Sequence, residues 1–103
     1  MRMSLEARVR SAVAALLHAT GESQTDLAAA LGVSQAQVSR RQSGSAAWSL
    51  ADCEAVATHF GISDLDLMAG PTQASEALPE DRRRTAARRG AAVRPVREQG
   101  AVR

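Results

Sequence analysis

Gln35, Ala36, Ser39 and Arg40 stand at offsets i, i+1, i+4 and i+5, the spacing of one exposed face of a helix. Their side chains suit the edges of base pairs. A glutamine amide pairs with adenine's two major-groove groups, an arginine donates twice to guanine N7 and O6, and an alanine meets a thymine methyl. The stretch around them, GVSQAQVSRRQSG over residues 32–44, offers only Val33, Ala36 and Val38 as apolar side chains. Such a helix has little to bury and much to hydrogen-bond. Gln24 and Ser34 fall at helix starts, where side chain and backbone amides suit a phosphate. Gln37 and Arg41 join them as phosphate-contacting candidates. No Ser-His-Asp arrangement, Gly-rich phosphate loop or carboxylate pair is present to support catalysis. The chain therefore reads as a binding protein rather than an enzyme, with no cofactor and no small-molecule substrate.

The elements that must hold this face follow from apolar period and capping. Leu5, Val9, Val13, Leu16 and Leu17 recur at helical spacing and predict an amphipathic helix over residues 4–19, ended by Thr20-Gly21. Ser23 caps a second, short helix with Asp26 at its third position, Leu27, Ala28 and Leu31 as its buried face, and Gly32 as its stop. Ser34 and Gln37 form a capping box for the third helix, stapled by Val33 and Val38. Ser49 with Asp52, stapled by Trp48 and Cys53, opens a fourth helix that is expected to bury Leu50, Cys53, Val56, Ala57 and Phe60. Ser63 with Asp66, stapled by Ile62 and Leu67, opens a short fifth helix carrying Leu65, Leu67 and Met68. Gly70-Pro71 closes the domain. Asp64 and Asp66 need no role beyond helix-start acids, and Cys53 reads as a small core residue.

The 103 residues suit one domain with a tail. Alanine supplies about half of the 45% hydrophobic share, strand formers are scarce, and the class expected is all-α. Every one of the 13 basic residues is arginine. Residues 1–70 carry five arginines against seven acids, whereas residues 71–103 carry eight against four. The division expected is a domain over 1–70 and an arginine-rich flexible tail over 71–103, with a short helix over 80–89 on contact with a partner. Arg82, Arg83, Arg84, Arg88 and Arg89 are its candidate nonspecific DNA contacts. The lone cysteine excludes a disulfide framework, and His18 and His59 have no clustered partners, so no metal is expected. No apolar run approaches a membrane span and no signal-peptide pattern opens the chain, which points to the cytoplasm.

Two short helices joined through Gly32, with a small Ala28 for close crossing and a second helix nearly bare of apolar residues, make a helix-turn-helix. With SQTDLAAALGVSQAQVSRRQSG followed by SLADCEAVATHFGISDLDLM, residues from about Leu5 to Ala69 resemble the five-helix, lambda-repressor-like DNA-binding domain of the Cro/C1/Xre repressor family. In wording and composition the chain is similar to immunity repressors of temperate mycobacteriophages. The resemblance implies a double-stranded-DNA-binding transcriptional repressor that acts in the bacterial host cell. It would maintain lysogeny by occupying an operator over an early lytic promoter, as a homodimer at least on DNA. It also implies that Gln24 fixes the phosphate backbone and that Gln35, Ala36, Ser39 and Arg40 match base-reading positions. Arg41 departs from the family pattern, standing where an apolar residue usually packs; it must snorkel or reach a phosphate. The competing function is an antitoxin-type DNA-binding protein whose tail folds onto a protein partner, against which the tail's lack of apolar anchors argues.

Overall fold

The computed structural model describes residues 3–83 as helices without strands. The elements in order are α1 (Leu5–Thr20), α2 (Gln24–Leu31), α3 (Gln35–Ser43), α4 (Leu50–Phe60), α5 (Asp64–Met68), α6 (Pro71–Ala77) and a 3-10 turn (Glu80–Arg82). Among the described residues no helix is long and apolar enough to cross a membrane. Arg84, Arg88 and Arg89, and most of the helix expected over 80–89, lie outside the described residues.

Serines start the helices. Ser4, Ser23, Ser34, Ser49 and Ser63 each accept a hydrogen bond from the amide three residues on. In α2, α3 and α4 the third residue reaches back, completing the capping box. In α5 it does not. The Asp66 carboxylate accepts instead from Gln73 Nε2 at 3.1 Å, which ties α5 to α6.

The long α1 lies at the centre of the packing. Its Val9, Ala12, Val13 and Leu16 meet Leu27 and Ala28 of α2, Val38 of α3, and Cys53, Val56 and Phe60 of α4 in one buried cluster. Leu67 of α5 joins the same cluster. Trp48 packs against it from the loop before α4 while its indole N–H donates to Gln42 Oε1 at 2.9 Å.

Two expectations change. Leu50 is 72% exposed rather than buried. It occupies the first position of α4, and helical side chains lean toward the helix N-terminus, so it points past the end of the core. Packing also continues beyond Gly70. Pro71 starts α6, Ala74 and Leu78 are buried in the common cluster, and α6 lies along α1. Pro79 then crosses Gly61, with its Cγ only 3.3 Å from where a Cβ on that glycine would stand. Residues 71–83 thus form a sixth helix and a closing strap of the helical body. Of the segment 80–89, the described part is a 3-10 turn.

Candidate nucleic-acid interface

Placement of the polar helix α3 begins at Gly32. Its φ of +74° turns the chain into the left-handed region, where a side chain would be strained. The amide of Val33 donates to Ala28 O at 3.0 Å and closes the turn. Ala28 itself is buried, and its small side chain lets α2 and α3 pack closely. Val38 is the one buried residue of α3. Gln37, Arg41 and Gln42 are half-buried, which leaves Gln35, Ala36, Ser39, Arg40 and Ser43 exposed. All four expected base-reading residues therefore share the outward face.

The start of α3 is tied to the start of α2. Gln35 Nε2 donates to Gln24 Oε1 at 3.1 Å. Ser34 and Gln37, expected at phosphates, are occupied with each other. The Ser34 amide donates to Gln37 Oε1 at 2.8 Å, and the Gln37 amide donates to Ser34 Oγ at 3.1 Å.

Arg41 neither snorkels freely nor stands isolated. Its Nε donates to Asp52 Oδ2 at 3.0 Å and its guanidinium lies 5.6 Å from the Trp48 ring centroid. The same carboxylate oxygen accepts the Ser49 amide at 3.0 Å, so one acid caps α4 and anchors the end of α3. Burial alone would raise the Asp52 pKa. The hydrogen bonds from Ser49 and the adjacent Arg41 charge outweigh it and hold the carboxyl below the ordinary range. Burial, together with the nearby Asp52 and Asp64 charges, pushes the Cys53 thiol up, which keeps it neutral and a poor nucleophile.

Arg40 has no carboxylate partner among the described residues. Nor has Arg10, which sequence reasoning missed. Its guanidinium comes within 3.6 Å of where a Cβ on Gly44 would lie, beside the last turn of α3. Its carbonyl accepts Gln42 Nε2 at 3.1 Å. No local signal distinguishes Arg10 from the other charged residues of α1, because the contact is made across 32 residues of chain.

Arg82 and Arg83, expected along a free tail, are engaged within the helical body. Arg82 Nη2 donates to Glu22 Oε2 at 3.0 Å and Nη1 to His59 O at 2.6 Å. His59 Nε2 lies 2.7 Å from the other Glu22 oxygen. Arg83 Nη2 donates to Ser75 O at 2.7 Å. Among the described residues no three His, Cys, Asp or Glu side chains are grouped as a metal site.

Short helices around one apolar cluster, with a polar helix facing outward, define a small all-helical domain. The chain belongs to the BetR domain family, whose family model matches residues 3–96. The matched span continues past Gly70 through α6 and the strap. No curated protein and no solved structure matches the chain.

Proposed function

We propose that the chain is a sequence-selective transcriptional repressor that binds duplex DNA through α3. The observation that carries this reading is the outward face of α3. Gln35, Ala36, Ser39 and Arg40 are exposed together on a helix whose single buried anchor is Val38. A helix held this way turns its polar side chains outward toward base edges, and the major groove is wide enough to admit it. The α2–turn–α3 pair then acts as a helix-turn-helix. Gln24 steadies Gln35 and faces the backbone, and Arg10, beside the last turn of α3, presents a guanidinium suited to a phosphate.

Repression needs no chemistry beyond occupancy, so the protein works without enzymatic activity or cofactor. An operator over a promoter, once filled, excludes RNA polymerase. The likeness to Cro/C1/Xre repressors and to those of temperate mycobacteriophages supports an immunity role in the host cytoplasm, with two chains paired on a palindromic operator.

A binding selection from a random duplex pool at near-physiological salt tests the reading. It is expected to enrich a palindrome. Arg40→Ala should then lose about 1–3 kcal/mol on the preferred site and relax the preference at one base position. If Arg40→Ala changes neither affinity nor preference, α3 does not read the bases. Binding that is unselective and simply vanishes as salt rises would reduce α3 to a solvated surface and bring a protein-binding antitoxin forward.

A further inference from the structure

The first turn of α2 has no apolar anchor of its own. Gln24 is half-buried, Thr25 and Asp26 are exposed, and the buried residues of the helix, Leu27 and Ala28, come only after them. A helix of eight residues with its anchors in the second half leaves its first turn prone to fraying. The capping box of Ser23 and Asp26 satisfies amides there but joins only residues of the turn itself. The tie to the rest of the fold is made by Glu22, the residue before the cap. Its amide donates to the hydroxyl of the buried Thr20 at 3.2 Å. Its carboxylate is held from both sides, with Arg82 Nη2 donating to Oε2 at 3.0 Å and His59 Nε2 lying 2.7 Å from Oε1.

Arg82 closes this clasp from the strap. Its Nη1 donates to His59 O at 2.6 Å, near the C-terminal end of α4, where a cation is favoured. Its guanidinium also lies over the Phe60 ring at 5.9 Å. Leu78 is buried and Pro79 rests on Gly61, so the strap that carries Arg82 is itself fixed. The side chains of Glu22, His59 and Arg82 are 21%, 25% and 29% exposed, which leaves the group less screened than an ion pair on open surface.

Two residues of chain, at most about 7 Å, carry Glu22 to Gln24. Gln24 Oε1 accepts one hydrogen of Gln35 Nε2 at 3.1 Å. A glutamine amide has two N–H donors and a carbonyl acceptor, so Gln35 keeps one donor and its Oε1, the pair that adenine's major-groove edge requires. The bond to Gln24 decides which way that amide turns. We infer that Arg82, through Glu22, holds the first turn of α2 so that Gln24 keeps the Gln35 amide in its base-reading orientation. The inference rests on the proposed reading of α3. Glu22 and Arg82 are positioning residues, and they make selectivity at one base pair depend on a strap that follows the helix-turn-helix in the chain. A recognising side chain discriminates only as well as the groups behind it fix its geometry.

Preference at single base pairs is the readout, because a change in stability or in charge beside a phosphate alters affinity for every duplex alike. The experiment uses the full chain, the selected duplex and duplexes altered at one base pair at a time. Gln35→Ala marks the base pair that Gln35 reads, and Arg40→Ala marks the one that Arg40 reads. Arg82→Gln is expected to lower the preference at the Gln35 base pair by about three- to tenfold, part of the roughly 5- to 150-fold that a bidentate contact supplies. At the Arg40 base pair the preference should stay within about twofold of the parent. Glu22→Gln should give the same loss at the same base pair, and the double variant no more than either alone. In the Gln35→Ala chain, Arg82→Gln should change no preference.

An unchanged preference at the Gln35 base pair in Arg82→Gln overturns the inference. So does an equal loss at the Gln35 and Arg40 base pairs, which would mean a loosened helical body, and so does a loss that persists in the Gln35→Ala chain. In each of these cases Arg40-dependent selectivity leaves the reading of α3 standing. If Arg82→Gln melts near the assay temperature, Glu22→Gln, at a residue outside the apolar cluster, decides by the same three criteria. Gln35→Ala without effect at any base pair would mean that this amide reads no base, and overturns the inference alone. Should Arg40→Ala be without effect as well, the reading of α3 falls with it.

Discussion

At Asp52 a single side chain serves two elements, and that makes its charge a stability determinant. Its carboxylate takes the Ser49 amide at the start of α4 and Arg41 Nε at the end of α3. Both side chains are mostly shielded, at 19% and 26% exposure, so the pair is less screened than a surface salt bridge. Because the folded-state pKa lies below the ordinary value, the unfolded chain takes up the proton first as pH falls. The stabilisation is therefore present above the ordinary carboxylate range and is lost as pH drops through the folded value. Asp52→Asn should cost about 1–2 kcal/mol at pH 7. The gap to the parent should begin to shrink below about pH 4, where the unfolded chain takes up the proton, and close as pH falls through the lower folded value. Thermal melts of the two proteins at pH 7 and pH 3 measure this. An equal gap at both values would mean that the asparagine disturbs packing and that charge is not the cause.

The elements were legible where their signals are local, and illegible where burial is carried by alanine. A serine three residues before an amide partner recurs at the starts of α2, α3 and α4, and each of those caps forms as the pattern implies. The outward face of α3 was equally readable, since Val38 stands alone among polar neighbours. The sixth helix gave no such contrast. It buries Ala74 and ends at Leu78, so no sustained apolar period marks it. Gly70-Pro71 is an ambiguous signal, because a proline that ends one helix is also suited to the first position of the next. The Glu22–Arg82 contact spans 60 residues of chain and leaves no trace in spacing. Since Leu78 is only 3% exposed, the helical body should depend on it. Leu78→Ala should cost about 2–4 kcal/mol and lower the melting temperature by roughly 10–20 °C. A loss of less than about 0.5 kcal/mol, the usual size for a surface substitution, would place residue 78 outside the cooperative unit.

Charge divides the whole molecule into unequal parts, and the division bears on how affinity and selectivity arise. Residues 3–83 carry six arginines and ten acids, whereas residues 84–103 carry six arginines and one acid. Four of those acids, Glu22, Asp52, Glu76 and Glu80, lie on or next to the elements that hold the body together, and Glu22 and Asp52 already neutralise Arg82 and Arg41. In the proposed reading a body of net negative charge gains little from the phosphate field, so long-range attraction to duplex DNA comes mainly from the arginine-rich end. Phosphate contacts position a protein without reading sequence, while base contacts discriminate. Replacing all six arginines of residues 84–103 by glutamine should therefore weaken binding to the preferred duplex and to a scrambled one by the same factor. The salt slope should fall by about 5, at roughly 0.9 per phosphate. The ratio of the two affinities should stay as it is in the parent chain. Arg40→Ala should do the reverse, lowering that ratio through loss of the preferred site. Paired titrations of both variants on both duplexes separate the two contributions. A ratio that collapses when the six arginines are removed would show that they read groove shape, and would move part of the specificity away from α3.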